Sequence, residues 1–405
     1  MRCTFIIVVF LVFGCSQRLA VPAFYYPEPY DTSDKEIFIQ EKKVFDDDSL
    51  VFADNLFDGA RLNGFNRLND SVFQVIILPE NEPINPSPWY AFRLWSPTAS
   101  EIYISIDYGK YKHRYYPKTS QDGKVWLNVD SSSVINNDEG VFNYLRLSLS
   151  ANDTLWVAGQ DVITSTAVRQ WAEVLSEREE TALKVIGKSK LGKDLFVLDI
   201  DEGKSENKPM LVVLSRQHPP EVTGYKAMEY FIDEVVKGDS LAQSFRAKFR
   251  ILVFPLLNPD GVDMGHWRHG AGGVDLNRDW ASYLQPEVAV VVNYIFKESQ
   301  KNKVVFGIDF HSTYHDVFYT NDTLSAYPDT RQQVFSFMES EIPDYKVNEK
   351  PSAVTKPVSK SWFFSAFKAE GITYEVGDST PEDTIELKGR AAARGVMKVL
   401  LVNVE

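Results

Sequence analysis

Residues 216–221 have the sequence RQHPPE, and they follow an apolar run, Met210 to Leu214, whose composition is typical of a buried β-strand. His218 is followed by two prolines, and Glu221 stands where a helix is expected to begin. On a tight turn at the end of a strand, an imidazole and a carboxylate at this spacing can converge on one cation. The spacing alone is weak evidence, because a metal site also needs a third ligand from elsewhere in the chain.

The composition is that of an ordinary globular protein. The 405 residues exceed the length of one typical domain, about 150 residues. Hydrophobic residues make up 44% of the chain and charged residues 24%, which is enough to build a buried core. The net charge is −13 and the sequence contains no basic stripe, so we do not expect nucleic acid as a partner.

The N-terminus has the features of an export signal. Arg2 precedes an apolar run over residues 5–13 that is too short to span a bilayer but is typical of the central part of a signal peptide. The sequence VFGC resembles a bacterial lipobox, in which Cys15 would be the lipid anchor after cleavage. The alternative is cleavage near Ala20. Apart from Cys3 and Cys15 the chain has no cysteine, so we expect no disulfide and no thiol nucleophile in the folded part.

These features predict an exported protein. With the anchor at Cys15, it would be a bacterial lipoprotein at the periplasmic or outer-membrane face, and the lipid would be its only membrane contact. With cleavage near Ala20, it would be a periplasmic or secreted protein.

Changes in sequence pattern divide the chain into four parts. Residues 1–20 are the predicted signal or lipoprotein segment, and residues 21–48, rich in proline, tyrosine and acidic residues, are expected to be a tether or a first strand. Residues 49–160 contain short β-prone runs between turn residues, which predicts an antiparallel β-sandwich. Residues 161–405 alternate strands and helices, which predicts an α/β domain with a mixed, largely parallel sheet flanked by helices.

Polar residues follow four successive predicted strands of the last part: His218 with Glu221, Asn258 to Gly261, His311, and Glu375. Each of them alone has an ordinary structural explanation, such as a surface histidine, a helix cap or a strand-end carboxylate. Because the carboxyl ends of parallel strands meet at one edge of a sheet, we expect the four groups to form one site.

The set of motifs resembles the zinc carboxypeptidase (funnelin) family. The resemblance rests on HxxE, NPDG, GVDLNR, a strand-end HS and a strand-end Glu, and it covers about Asp161 to Glu405. The preceding β-rich part, with PWYAFRLW and YYPKTSQDGKVW, is similar in layout to the cytosolic carboxypeptidase branch of the family. In that branch a β-sandwich domain precedes the catalytic domain.

The resemblance implies a set of chemical roles. His218, Glu221 and His311 would bind one zinc ion per chain, and water would hold the fourth position. Glu375 would be the general base, and Arg268, in GHWRHG, would stabilise the oxyanion.

The resemblance also implies a carboxylate clamp and a supporting contact. Asn277 and Arg278 would bind the terminal carboxylate of the substrate, and Asp275 would orient His218 through its second ring nitrogen. Two features depart from the family pattern. Pro220 stands where many relatives carry a substrate-binding arginine, and no tyrosine occurs in residues 354–372.

Lys360 falls where the family sets its specificity pocket. We therefore hypothesise a preference for an acidic C-terminal residue, against the alternative of a solvated lysine at a helix start.

The sequence predicts a zinc metallocarboxypeptidase that hydrolyses C-terminal residues from peptides with a free carboxylate by the promoted-water mechanism. One alternative is an amidase or deacylase of the same fold, acting on peptidoglycan peptides or N-acyl amino acids. An alternative of another class is a non-catalytic zinc-bearing binding module. That module would be expected to lack the base or the oxyanion arginine, whereas Glu375 and Arg268 are both present.

Overall fold

The computed structural model describes residues 21–46, 50–203 and 206–404. The predicted export signal, including Cys15, lies outside these residues. Among the helices of the described residues, none combines the length and the apolar character needed to cross a membrane.

Two β-sheets form the first part of the described chain. Their strands are β1 Val44–Asp46, β2 Phe52–Asp54, β3 Gly64–Arg67, β4 Val72–Ile76, β5 Ala91–Trp95, β6 Ser100–Asp107, β7 Lys118–Ser120, β8 Leu127–Asn128, β9 Val134–Asn136, β10 Phe142–Leu149 and β11 Leu155–Ala158. One sheet has the order β1-β2-β5-β11-β7-β8 and the other β3-β4-β6-β10-β9. We call the described residues of this part, 44–46 and 50–160, the β-region.

The β-region departs from the antiparallel pattern at one pair of strands. Strands β4 and β6 run parallel, whereas the other pairs within these two sheets are antiparallel. The reason lies in the connection: between β4 and β6 the chain crosses to the other sheet to form β5, and then returns in the original direction. The expectation of a purely antiparallel sandwich was therefore wrong at this pair.

The second part is an α/β region, residues 161–404. Its strands are β12 Thr181–Lys188, β13 Asp194–Ile200, β14 Met210–Ser215, β15 Arg250–Phe254, β16 Val304–Thr313, β17 Val317–Asn321, β18 Glu349–Ser352 and β19 Glu370–Gly377. Its helices are α1 Ser165–Leu175, α2 Val222–Val235, α3 Ser240–Lys248, α4 Pro259–Asp263, α5 Pro286–Glu298, α6 Thr330–Glu341, α7 Ser359–Phe367 and α8 Glu382–Asn403.

The sheet of the α/β region has the order β12-β13-β15-β14-β16-β19-β17-β18. Its four central strands, β15, β14, β16 and β19, run parallel, and helices flank the sheet. The predicted fold class, a mixed and largely parallel sheet preceded by a β-rich part, is confirmed.

The central strand β14 is apolar at every core position because both faces of the sheet are covered. Leu211 and Val213 belong to the core cluster that includes α2 and α8, whereas Met210, Val212 and Leu214 belong to the cluster that includes α5 and α7. Successive side chains of a strand point to opposite faces, so a strand between two helical layers needs a continuous apolar run. In β14 the first polar side chains therefore stand at the end of the strand, where it leaves the core.

Residues 21–43, which we call the N-terminal segment, contain no strand and lie against both regions. Backbone hydrogen bonds join Glu28 N to Thr355 O at 2.8 Å, Lys35 N to Gly272 O at 2.8 Å, and Phe38 N to Glu80 O at 2.6 Å. The domain boundaries given above stay a prediction.

Candidate active site

The side chains of His218, Glu221 and His311 converge at the carboxyl edge of the central sheet. The Nδ1 atom of His218 lies 2.8 Å from Glu221 Oε1, and the Nδ1 atom of His311 lies 2.6 Å from Glu221 Oε2. The two Nδ1 atoms are 3.2 Å apart. All three residues are buried, and one potential ligand atom from each lies within 4.8 Å of the others. Two imidazoles and one carboxylate in this arrangement can hold one metal ion and leave a further position open.

The turn after β14 places the first two of these residues. Arg216 adopts a left-handed backbone conformation, with φ +53°, and its buried guanidinium donates to the carbonyl oxygen of Pro219 at 2.8 Å. Glu221 then stands at the N-cap of α2. A Cβ atom at Gly224 would lie 2.2 Å from the carbonyl oxygen of His311, so this glycine lets α2 approach β16 closely. The close contact brings Glu221 to His311.

A carboxylate contacts the outer nitrogen of each histidine. His218 Nε2 lies 2.8 Å from Asp275 Oδ1, and His311 Nε2 lies 2.8 Å from Asp309 Oδ2. Such contacts fix the ring orientation and tautomer of metal-bound histidines and raise their basicity. Asp309, which is fully buried, was missed in the sequence. It could have been predicted from the sequence, because Asp309 and His311 are two residues apart, and such residues share one face of a strand.

Glu375 lies beside the three converging residues. It pairs in register with His311 across the parallel strands β16 and β19. Its Oε2 atom is buried and accepts no hydrogen bond within the part of the chain that the structure describes. Burial, reinforced by the negative charge of Glu221, raises the pKa of Glu375 to about 7. A carboxyl group with such a pKa can both accept and release a proton near neutral pH.

The long connection from α4 to α5 carries Arg268, Asp275, Asn277 and Arg278. Asp275 links Arg268 to His218. Its Oδ2 atom accepts a hydrogen bond from Arg268 Nε at 2.8 Å, and its Oδ1 atom contacts His218 Nε2. Asn277 Nδ2 lies 3.4 Å from His311 Nε2. The guanidinium of Arg278 donates to the carbonyl oxygen of Asn277 at 2.9 Å and lies over the ring of Tyr30, 5.2 Å from its centroid.

These residues surround one cavity of about 730 Å³. Of the residues singled out in the sequence, its lining includes His218, Glu221, Arg268, Asn277, Arg278, Lys360 and Glu375. Lys360 is buried at the start of α7, and its Nζ donates to Thr320 O at 3.1 Å and to Asn321 Oδ1 at 2.9 Å. Burial lowers the pKa of Lys360 to about 8.

Three further residues of the cavity wall were missed in the sequence. Tyr314 and Tyr319 lie on it, whereas Trp362, an aromatic residue within the stretch 354–372 that lacks a tyrosine, is buried in the core. Arg114 reaches the cavity from the β-region and pairs with Asp378 at 2.8 Å. No sequence signal connects Arg114 to the site, because the contact depends on how the two regions pack.

Comparison with known proteins identifies the family. The sequence profile described as zinc carboxypeptidase matches residues 168–390, more than half of the chain. The chain belongs to the zinc carboxypeptidase family. The donor set of His218, Glu221 and His311 agrees with the one zinc ion that the family name implies, since zinc accepts imidazole and carboxylate ligands.

The relatives of this family member include cytosolic carboxypeptidases. It is 23% identical over 296 residues to cytosolic carboxypeptidase 3 of Bos taurus. The alignment covers 65% of this chain and 29% of that protein. It is 32% identical over 183 residues to cytosolic carboxypeptidase 2 of Danio rerio. That alignment covers 42% of this chain and 25% of that protein. The matched part is therefore less than a third of the length of either relative.

Solved structures share the fold over most of this zinc carboxypeptidase family member. A metallo-carboxypeptidase from Burkholderia cenocepacia superposes with a TM-score of 0.72 at 16% identity, covering 86% of this chain and 99% of that one. A metallo-carboxypeptidase from Pseudomonas aeruginosa, solved in complex with (2-guanidinoethylmercapto)succinic acid, superposes with a TM-score of 0.71 at 18% identity. That superposition covers 87% of this chain and the whole of the other. The shared fold includes the β-region as well as the α/β region.

Proposed function

We propose that the protein is a zinc metallocarboxypeptidase that removes the C-terminal residue from peptides. The observation that carries the proposal is the buried carboxylate of Glu375, whose Oε2 atom accepts no hydrogen bond from the described residues, in a cavity lined by the metal-ligand candidates His218 and Glu221 and by three arginines. Zinc held by His218, Glu221 and His311 would supply Lewis-acid chemistry at the scissile carbonyl. The remaining chemistry belongs to the side chains around it.

Glu375 acts as the base in this proposal. Its buried Oε2 atom accepts a proton from the attacking water and returns it to the amine that leaves. Arg268 stabilises the negative charge that develops on the carbonyl oxygen, and Asp275 fixes its guanidinium through Nε.

Asn277 and Arg278 bind the free carboxylate at the end of the peptide. A planar guanidinium can accept a carboxylate in two parallel hydrogen bonds, which gives direction as well as affinity. The guanidinium of Arg278 lies over the ring of Tyr30, which helps to hold it at the cavity. This clamp makes the enzyme an exopeptidase, because an internal peptide bond offers no carboxylate at the required distance.

The test combines metal analysis with peptide cleavage. Wild-type protein is expected to hold one zinc ion per chain and to release single C-terminal residues from a peptide library, with no release from C-terminally amidated peptides. Glu375→Gln is expected to keep the zinc and lose the cleavage. Full cleavage by Glu375→Gln would refute the proposed base.

The same assay separates the alternative reaction. An amidase or deacylase of this fold would cleave N-acyl amino acids or peptidoglycan peptides in preference to ordinary peptides. A protein that binds zinc and peptide but turns over neither substrate class would be a binding module.

We also propose a preference for acidic C-terminal residues. Cationic side chains outnumber carboxylates on the cavity wall, where Arg114, Arg268, Arg278, Lys350, Lys356 and Lys360 face Glu28, Glu221 and Glu375. Lys360 is the candidate for specificity, because it is a buried cation that the hydrogen bonds to Thr320 and Asn321 hold in one place.

Comparison of two lysine variants tests this preference. Lys360→Ala is expected to lower kcat/KM for peptides ending in Glu about tenfold or more, since hydrogen bonds to charged groups are the stronger ones, and to leave peptides ending in Leu nearly unchanged. Lys350→Ala removes an exposed lysine of the same wall and serves as the matched control. Equal losses on both peptides in Lys360→Ala would contradict the preference.

For the location of the protein, we propose export with lipid attachment at Cys15. The support is the sequence of residues 2–16, with its basic start, short apolar run and VFGC ending. Mass spectrometry of the mature N-terminus is expected to find a lipidated Cys15, and Cys15→Ser is expected to move the protein from the membrane fraction to the soluble fraction. A mature N-terminus near Ala20 would support the unanchored form.

A further inference from the structure

We propose that Glu80, in the β-region, is a positioning residue for peptide hydrolysis, because its carboxylate fixes the backbone that carries Arg268. The inference rests on the role proposed above for Arg268. Glu80 lies 188 residues from Arg268 in the sequence, and its carboxylate is fully buried.

Three successive backbone N–H groups donate to this one carboxylate. Trp267 N donates to Oε2 at 2.8 Å, and Arg268 N and His269 N donate to Oε1 at 3.0 and 2.6 Å. Consecutive N–H groups that point to one centre form an anion-binding nest, and here a side chain of the protein fills it. Without Glu80 these donors would be buried without an acceptor, which is costly in a protein interior.

Several neighbouring groups favour the ionised form of the Glu80 carboxyl group. Burial alone would raise its pKa, but electrostatic interactions with His266, Arg61 and His269, together with the hydrogen bond from the His269 backbone, lower it below the usual value. Burial lowers the pKa of both histidines, so Arg61 is the cation among these neighbours at neutral pH. The carboxylate is therefore ionised at neutral pH, and charge-assisted hydrogen bonds of this kind are stronger than neutral ones.

The residue before Arg268 is inserted into the core of the β-region. Trp267 is fully buried there and packs edge-on against Tyr108 and Tyr111, with ring centroids 6.4 and 5.3 Å away. Nearby, Gly265 has φ +66° and a Cβ atom there would lie 2.3 Å from the carbonyl oxygen of Ala60. The chain approaches the β-region this closely only because the residue is glycine.

The neighbour of Glu80 holds the other end of the same loop. Asn81 Nδ2 donates to the carbonyl oxygen of Gly273 at 2.8 Å, and its Oδ1 atom lies 2.7 Å from His269 Nδ1. The pair Glu80 and Asn81 thus fixes residues 267–273 at both ends. Because the backbone of Arg268 is fixed there and its Nε atom is bound to Asp275, Glu80 sets where the guanidinium lies in the cavity.

Kinetics of the full-length, zinc-loaded protein test this role. Glu80→Gln is expected to lower kcat about tenfold or more, since the hydrogen bonds lost are charge-assisted, while KM and zinc content stay as in the wild type. KM should hold because Arg268 acts on charge that develops only in the transition state. The control is Asp54→Asn, which removes another buried carboxylate of the β-region, paired with Arg93 at 2.8 Å; it is expected to keep wild-type kcat.

The decisive measurement is a double-mutant cycle with Arg268→Ala. If Glu80 acts through Arg268, Glu80→Gln causes no further loss of kcat once Arg268 is absent. An equal loss in both backgrounds, an unchanged kcat, or a loss of zinc would overturn the inference. Should Glu80→Gln fold poorly, the half-buried Asn81 provides the same cycle through Asn81→Ala, with the same expected and contrary outcomes.

The outcome also separates this inference from the proposed function. If Arg268→Ala keeps full activity, the role of Arg268 itself is wrong. If Arg268→Ala is impaired and Glu80→Gln is not, only the role of Glu80 is wrong.

Discussion

The two halves of the active site are built in different ways. The metal-ligand half consists of His218 on the turn after β14, Glu221 at the N-cap of α2, and His311 on the adjacent strand β16. The substrate half, Arg268, Asn277 and Arg278, lies on a long connection without a strand of its own. The first half is fixed by the α/β core, and the second also depends on the β-region and the N-terminal segment.

The contacts of the second half show this dependence directly. Glu80 and Asn81 hold residues 267–273, Lys35 N donates to the carbonyl oxygen of Gly272, and the ring of Tyr30 covers Arg278. The difference teaches that metal binding and substrate binding can be damaged separately in this molecule. The following predictions use that separation.

Loss of a metal ligand should have the largest effect. His311→Ala removes one of three protein ligands, so we expect loss of zinc together with loss of peptide cleavage. Zinc content by atomic spectroscopy and kcat/KM on the same sample check this. Zinc retained at one ion per chain with normal cleavage would place the metal elsewhere.

Damage to the carboxylate clamp should leave the metal in place. Arg278→Lys keeps the charge but removes the two-bond geometry, so we expect kcat/KM to fall about 100-fold with zinc content unchanged. The loss should appear mainly in KM, because the clamp binds the terminal carboxylate of the substrate. A loss of zinc in this variant would show that the two halves are not separable.

Substitution of Asp275 and of Asp309, the two aspartates that contact the histidines, should have different effects on kcat. Asp309→Asn and Asp275→Asn each remove the carboxylate from one histidine, so we expect zinc affinity to fall about 10- to 100-fold in both. At saturating zinc, only Asp275→Asn should still have a reduced kcat, because Asp275 also holds Arg268. Competition with a chelator and kinetics at high zinc measure the two effects. An equal kcat in both variants would contradict the separation.

The smallest effect should be the dependence of kcat/KM on pH. It reports on Glu375, which lies beside the metal-ligand half. Glu375, with its pKa raised to about 7 by burial and by the charge of Glu221, is active as a base only when ionised. Activity is therefore present above its pKa and lost as the pH falls through it. Because a bound zinc ion adds positive charge, we expect the acid limb of kcat/KM in the zinc-loaded enzyme at or below pH 7. An acid limb clearly above pH 7 would contradict this assignment.

Much of the α/β fold followed from local pattern. The apolar run of β14 and the helical spacing after Glu221 predicted a buried strand and a helix, and the position of His311 and Glu375 at strand ends predicted that they would meet. Strand β17 was not predicted, because it is only five residues long and begins shortly after β16 ends.

The sequence by itself determined which residues can bind the metal and serve as base. These residues follow the carboxyl ends of strands. In a parallel sheet the carboxyl ends of all strands lie at the same edge, so the residues come together whatever the rest of the fold is. Asp309 was within reach of the same argument, since it precedes His311 by two residues on one face of β16.

Only the tertiary structure decided how the substrate half is held. Glu80, Asn81 and Arg114 reach the site from the β-region, and their partners lie about 190 to 264 residues away in the chain. No periodic pattern encodes such contacts, because they depend on the packing of two regions against each other. In RQHPPE the chain specifies its metal site locally, whereas the position of Arg268 is a property of the whole fold.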